Sequence, residues 1–157
     1  MQFTEEHVLS QDKAKSFAQE QMKPTASEWD RQGMFFEEQV LIQDMAKSFA
    51  QEQIKPYASE WDRHGTFPAQ ALQQMGQLGF MGMLVPEEWG GSATGNLAYV
   101  LALEEIAAAD GATSAIMSVH NSVGCVPILK FGTEEQKQQF LVPLAKGEMI
   151  GAFALTE

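Results

Sequence analysis

LAYVLALEEIAAADGATSAIMSVHNSVGCVPILKF, residues 97–131, is the longest mostly apolar stretch of the chain, and the fold turns on its reading. Leu97, Leu101, Glu104, Glu105 and Ala108 fall at helical spacings, and Gly111 interrupts the run. The pattern predicts a buried helix, a break at Gly111 and a second buried helix. The segments on either side are amphipathic and suited to cover this pair.

Toward the N-terminus the chain repeats itself. QDKAKSFAQEQMKPTASEWDRQGMF (11–35) recurs as QDMAKSFAQEQIKPYASEWDRHGTF (43–67), offset by 32 and differing only at 13/45, 22/54, 25/57, 32/64 and 34/66. Each copy reads as a helix up to a Lys-Pro step. Pro24 and Pro56 lack an amide donor and are expected to kink or break it. Gly33 and Gly65 then end the short ASEWDR segments. Ile42, Met45 and Tyr57 stand where the first copy has Ser10, Lys13 and Thr25, and 42, 45 and 49 share a helical face. The second copy is therefore expected to pack on the core, and the first to lie elsewhere. Two copies are too few for a helical solenoid, which needs about three. A local tandem duplication fits better. The expected division is a duplicated segment over 1–35 and a helical domain over 36–157.

Residues 66–82 read as a helix capped by Thr66, with Leu72, Met75 and Leu78 on one face and Gly79 at its end. A loop rich in Pro and Gly covers 83–96. Past Phe131, Thr133-Glu134-Glu135-Gln136 spells a capping box. The helix it opens should carry Phe140, Leu141 and Leu144 inward and stop near Gly147. The closing MIGAFALTE is short, apolar and permissive of extended structure. The fold class is all-α: a bundle of about five or six helices with a short extended C-terminal segment.

At 157 residues and 45% hydrophobic content, the chain can bury one sizeable core. A net charge of −11 excludes nucleic acid and anionic membrane surfaces as partners, since both need clustered Lys and Arg. Cys125 is the lone cysteine, so no internal disulfide or multi-cysteine metal site can form. The N-terminus lacks a basic-then-apolar leader, and no run of about 18 uninterrupted apolar residues occurs. The expectation is a soluble intracellular protein without membrane insertion.

Few residues carry chemistry. Glu104 and Glu105 are adjacent, point about 100° apart and do not form a dyad. One of them is expected to reach a helix terminus or a basic partner. His120 and Ser122 also face apart on a helix, and no G-x-S-x-G elbow surrounds the serine. The expected role for His120-Asn121-Ser122 is a polar patch that bonds a loop or lines a pocket. Neither His7, His64 nor His120 sits in a Glu-x-x-His pair, so no di-metal site is expected. No glycine-rich phosphate cradle is present. Trp89 reads equally as a pocket rim or a plug under a loop. The residues alone leave two classes open, a helical interaction module and the helical part of a larger enzyme.

The run from Phe67 to Glu157 resembles the N-terminal helical domain of acyl-CoA dehydrogenases, flavoenzymes that oxidise acyl-CoA to 2-enoyl-CoA. FPAQALQQMGQLGFMGMLVPEEWGG, LAYVLALEEIAAAD, SVHNSVGCVPILKFGTEEQKQQFLVPLAKGE and IGAFALTE occur in the family's order. With the KPYASEWDR of the second repeat copy, the likeness covers about 40–157. SVHNS and FALTE resemble the short-chain and branched-chain types, which points to fatty acid or branched-chain amino acid catabolism in bacterial cytoplasm or mitochondrial matrix. The resemblance implies that Phe153, Leu155 and Thr156 meet the flavin ring of FAD, and that Ile116, Val119 and Val123 wall the acyl-chain pocket. It supplies no catalytic residue here. In the family the chain continues from FALTE through a Pro-x-x-Gly-Ser-Asp loop to further domains, and the glutamate that abstracts the α-proton comes from the last of them. The expectation is an inactive fragment that binds FAD weakly or not at all. Its uncovered apolar face should favour association with a partner or as a homo-oligomer. The alternative is a scaffold or self-association module built on the duplicated helix.

Overall fold

The computed structural model describes residues 34–154, with side chains from Glu37 onward. The first repeat copy up to Gly33, and Leu155, Thr156 and Glu157, lie outside the described residues. The described residues from Gln39 onward form one compact unit.

Five helices and a short 3-10 turn at Glu87–Trp89 make up the described residues. The first, α1, runs as Met34–Phe49, a π turn over Ala50–Ile54, and Lys55–His64. Then come α2 (Ala69–Gln77) and α3 (Gly95–Ala109). Helix α4 runs as Gly111–Val119, a π turn over His120–Cys125, and Val126–Phe131. Helix α5 runs as Glu134–Gln136, a π turn over Lys137–Leu141, and Val142–Ala145. No strand occurs among the described residues, and 151–154 are neither helix nor strand.

Pro56 does not break α1. A π turn precedes it, in which the Lys55 N–H donates to Ala50 O, five residues back. Pro127 and Pro143 have the same device, with Val126 N–H on Asn121 O and Val142 N–H on Lys137 O. A helical proline lacks a donor and crowds the carbonyl four residues earlier. Widening the preceding turn to five-residue bonds relieves both problems and lets the helix continue.

Caps set the other boundaries. Asp110 makes the break between α3 and α4: its backbone is extended, and its carboxylate accepts from the Thr113 N–H at 2.8 Å and hydroxyl at 2.6 Å. Gly111 is only the first residue of α4. Thr66 is exposed and caps nothing, and α2 starts after Pro68. Gly79 closes α2 with φ +82°, where the Phe80 N–H returns to Met75 O. The Thr133 capping box is present in full.

Two cores result. The larger joins Ala46, Phe49 and Ile54 of α1, Leu72 and Met75 of α2, Phe80, Met81 and Met83 of the loop, Ala102 and Ile106 of α3, and Met117 of α4. Each fully buried Leu, Ile, Phe or Met contributes roughly 1.5–3 kcal/mol. Phe49 meets Phe80 edge-on at 6.3 Å, so the second repeat copy does pack on the core. Its buried face is Ile42, Ala46, Phe49 and Ala50, however, and Met45 is turned out. The opening helix is not buried all round either. Ala98, Tyr99, Ala102 and Ile106 face inward while Leu97 and Val100 are exposed. Leu78 and Phe140 are likewise exposed, against the simple face assignments. The smaller core holds Val85, Cys125, Leu141, Leu144 and Ala145, with Trp89 packed on it. Trp89 is therefore a plug, and the Lys137 ammonium lies 5.4 Å from its ring centre.

Candidate functional site

The π turn of α4 joins the two cores, with Met117 in the larger and Cys125 in the smaller. Between them His120 and Asn121 are adjacent, fully buried and polar. Both are satisfied. The Asn121 amide donates to Phe80 O at 2.9 Å and Met117 O at 3.1 Å, and its oxygen accepts from the Met83 N–H at 3.0 Å. His120 Nδ1 accepts from the Gly151 N–H at 3.0 Å. Its Nε2 therefore carries the proton and donates to Leu144 O, also at 3.0 Å. Ser122 points out and donates to Ser118 O within its own helix. The patch bonds the 80–83 loop on one side and the C-terminal segment on the other, and no triad forms.

Burial holds the His120 pKa below the ordinary 6.5, opposed by the carbonyls of Leu144 and Met81. The sign follows directly. The unfolded chain takes up the proton first, so this contribution is full above about pH 6.5, declines as pH falls below it and is lost once pH has passed the folded-state pKa. We expect the urea midpoint to fall between pH 7.5 and 5.5, at most by about 1.4 kcal/mol per pH unit in unfolding free energy. A His120→Gln variant should show a flatter profile over the same range. Cys125 is buried and its thiol is pushed up to about 12, which keeps it neutral and poorly nucleophilic.

The residues singled out from sequence do not all lie together in the interior. Ile116 is half-buried against the larger core. Val119 and Val123, one helical turn apart, are 39% and 37% exposed. Phe153 is 54% exposed. Gly151 rests against Gly124, next in sequence to Val123, so the segment carrying Phe153 departs from this part of α4. The ring-edge contacts implied for Leu155 and Thr156 fall outside the described residues. A separate concavity of about 440 Å³ includes Phe67, Leu72, Gln77 and Lys146 in its lining, and none of the singled-out residues borders it.

Glu105 accepts from the Gln43 amide at 2.9 Å while Glu104 is exposed, so the expected basic partner is an uncharged amide instead. Among the described residues no cluster of His, Cys, Asp or Glu is arranged to hold a metal. Residues 111–131 are long and apolar enough to cross a membrane by length and composition alone, although polar residues interrupt the run. Yet its middle carries His120 and Asn121, both bonded to groups of this same domain, which is the behaviour of a core helix.

Sequence reasoning missed the Gly151 contact. The only signal for it was the buried-polar pair in an apolar helix, which requires partners but does not say which.

Comparison with known proteins agrees with this architecture. The acyl-CoA dehydrogenase N-terminal domain family matches residues 36–148. The short-chain specific acyl-CoA dehydrogenase of Bos taurus mitochondria is 53% identical over 91 residues, 58% of this chain and 22% of that protein. The butyryl-CoA dehydrogenase structure from Megasphaera elsdenii superposes with a TM-score of 0.70 at 36% identity, over 76% of this chain and 32% of that one. The acyl-CoA dehydrogenase of Bacillus anthracis, solved in complex with FAD, gives 0.72 at 33% identity, over 77% and 21%. The chain thus spans about a quarter of the length of the curated relatives it matches. By family match, sequence identity and helical fold alike, the chain belongs to the acyl-CoA dehydrogenase family, whose N-terminal domain it carries.

Proposed function

We propose that residues 36–157 form one wall of the flavin and acyl-chain pocket of an FAD-dependent acyl-CoA dehydrogenase, with 1–35 a duplicated segment in front of it. The carrying observation is the family match over residues 36–148, with the apolar side chains of Val119, Val123 and Phe153 exposed and free to be covered. FAD, when bound, supplies the hydride acceptor. The residues here do simpler work. Phe153 offers an apolar neighbour that excludes water from the ring, with Leu155 and Thr156 presenting main-chain and hydroxyl groups to its edge. Ile116, Val119 and Val123 bury the acyl tail. The base that removes the α-proton is not assigned to any residue of this chain. The 157-residue chain by itself is inactive on this reading, and acyl-CoA is the substrate of the whole enzyme, which works in solution in bacterial cytoplasm or mitochondrial matrix.

The test is a chimera in which residues 36–157 replace the matching segment of the Megasphaera elsdenii enzyme. Expected are bound flavin, visible by absorbance, and turnover of butyryl-CoA. Val123→Asp should raise KM for acyl-CoA by about tenfold or more, the effect of charging an apolar wall. A folded chimera without flavin would overturn the proposal. So would acyl-CoA turnover by the 157-residue chain alone.

A further inference from the structure

His120 uses both ring nitrogens, and its two partners belong to different parts of the chain. Nε2 donates to Leu144 O near the end of α5, and Nδ1 accepts from the Gly151 N–H. Gly151 fits a slot made by Gly124, Leu144 and His120 itself, each about 3.5 Å from where a Cβ would stand. Beyond it Ala152, Phe153 and Ala154 are exposed, and among the described residues no hydrogen bond ties them down. The direction in which Phe153 leaves the domain is therefore set at Gly151.

We propose that His120 is a positioning residue: its neutral imidazole clips the Gly151 amide to the end of α5 and so fixes where the following segment presents Phe153. The consequence at the flavin rests on the function proposed above, while the clip itself does not. Only the tautomer protonated at Nε2 serves. A second proton, on Nδ1, would set an N–H against the Gly151 N–H and release the segment. The ionisable side chains on the elements around the ring are Cys125 and Lys130 of α4, Glu134, Glu135 and Lys137 of α5, and Lys146 and Glu148 after it. None of them hydrogen-bonds the imidazole. Burial is what favours the neutral form.

Two substitutions separate the two bonds. In His120→Asn the side-chain oxygen stands near the place of Nδ1 and can accept from Gly151. In His120→Gln the amide nitrogen stands near the place of Nε2 and can donate to Leu144 O, leaving Gly151 without an acceptor. In the nitrogen-15-labelled 157-residue chain, hydrogen exchange at the Gly151 amide should speed up about tenfold in H120Q, the size of one net hydrogen bond. In H120N it should stay close to wild type, and the Met117 amide should be unchanged in both. Equal exchange at Gly151 in H120Q and wild type, or equal loss in both variants, would overturn the clip. Should neither variant fold, the wild-type imidazole spectrum decides: Nδ1 must read unprotonated at pH 7, and a proton there refutes the proposal. In the Megasphaera chimera, H120Q should shift the flavin absorbance and weaken FAD binding, with H120N restoring both. A chimera that takes up FAD but ignores H120Q refutes the positioning role. One that never takes up FAD counts against the proposed function instead.

Discussion

Asn121→Ala should lower the unfolding free energy by about 2–5 kcal/mol, among the largest losses expected of any single truncation in this domain. The side chain is fully buried and joins α4 to the loop between α2 and α3 through Phe80 O and the Met83 N–H. Truncation leaves both groups without their side-chain partner at a buried position. Each such orphan costs about 1–3 kcal/mol. Asn121→Asp is no rescue, because a carboxylate keeps the acceptor for Met83 but turns a second acceptor toward Phe80 O. The comparison that decides is Ser122→Ala, one residue on, where the lost bond is local and exposed. Its effect should stay within about 0.5 kcal/mol. Urea titrations of the three variants at pH 7.5 read this directly. An Asn121→Ala midpoint equal to that of Ser122→Ala would show that the buried amide does not hold the loop.

Gly91→Ala is the second large effect, for a steric reason. A Cβ at this position would stand 2.0 Å from Val85 O and 2.6 Å from the Val85 carbonyl carbon and Cβ. Backbone cannot yield as a side chain does, so the loop must open. Opening it strains the bonds that close it, from the Ala93 N–H to Val85 O at 3.1 Å and from the Gly91 N–H to Pro86 O at 3.2 Å. Overpacking costs about 1–3 kcal/mol and each of the two hydrogen bonds about 0.5–1.5, for a loss of about 2–6 kcal/mol. Gly111→Ala is the control with the opposite sign. Nothing lies within 4 Å of its Cβ, and it opens a helix. It should be neutral or stabilising by up to about 1 kcal/mol. Thermal unfolding of the pair checks both, and a Gly91→Ala protein as stable as Gly111→Ala would refute the close approach.

Both effects centre on the loop between α2 and α3, whose course was the least legible part of the sequence. Its Pro and Gly content announced a structured turn, but nothing in it named Asn121 as its anchor 38 residues away from Met83. The helices were easier, because a helix is built from local bonds and its caps are written next to it. Thr133 and Gly79 could be read as ends for that reason. Where the reading slipped, the competing effect came from elsewhere in the chain. Met45, Leu78 and Phe140 are apolar at plausible face positions yet exposed, since the partner surface covers only part of each face. Pro56 carries the expectation of a kink or a break because the sequence shows the missing donor but not the wider turn that absorbs it.

The candidate site divides the same way. Val119, Val123 and Phe153 were named from the family resemblance, and the structure adds that all three face solvent. Their joint use in a pocket remains the proposal tested by the chimera.

By itself, then, the sequence determined the all-α class, the order of the helices, most of their caps and the family, because periodicity, capping chemistry and motif order are local properties of the chain. Tertiary structure alone decided how much of each helix face is covered, and which groups the polar pair His120-Asn121 bonds. A buried donor or acceptor must find a partner, but the partner is chosen by packing. In this chain packing brought Met83 and Phe80 to one residue, and Leu144 and Gly151 to the other.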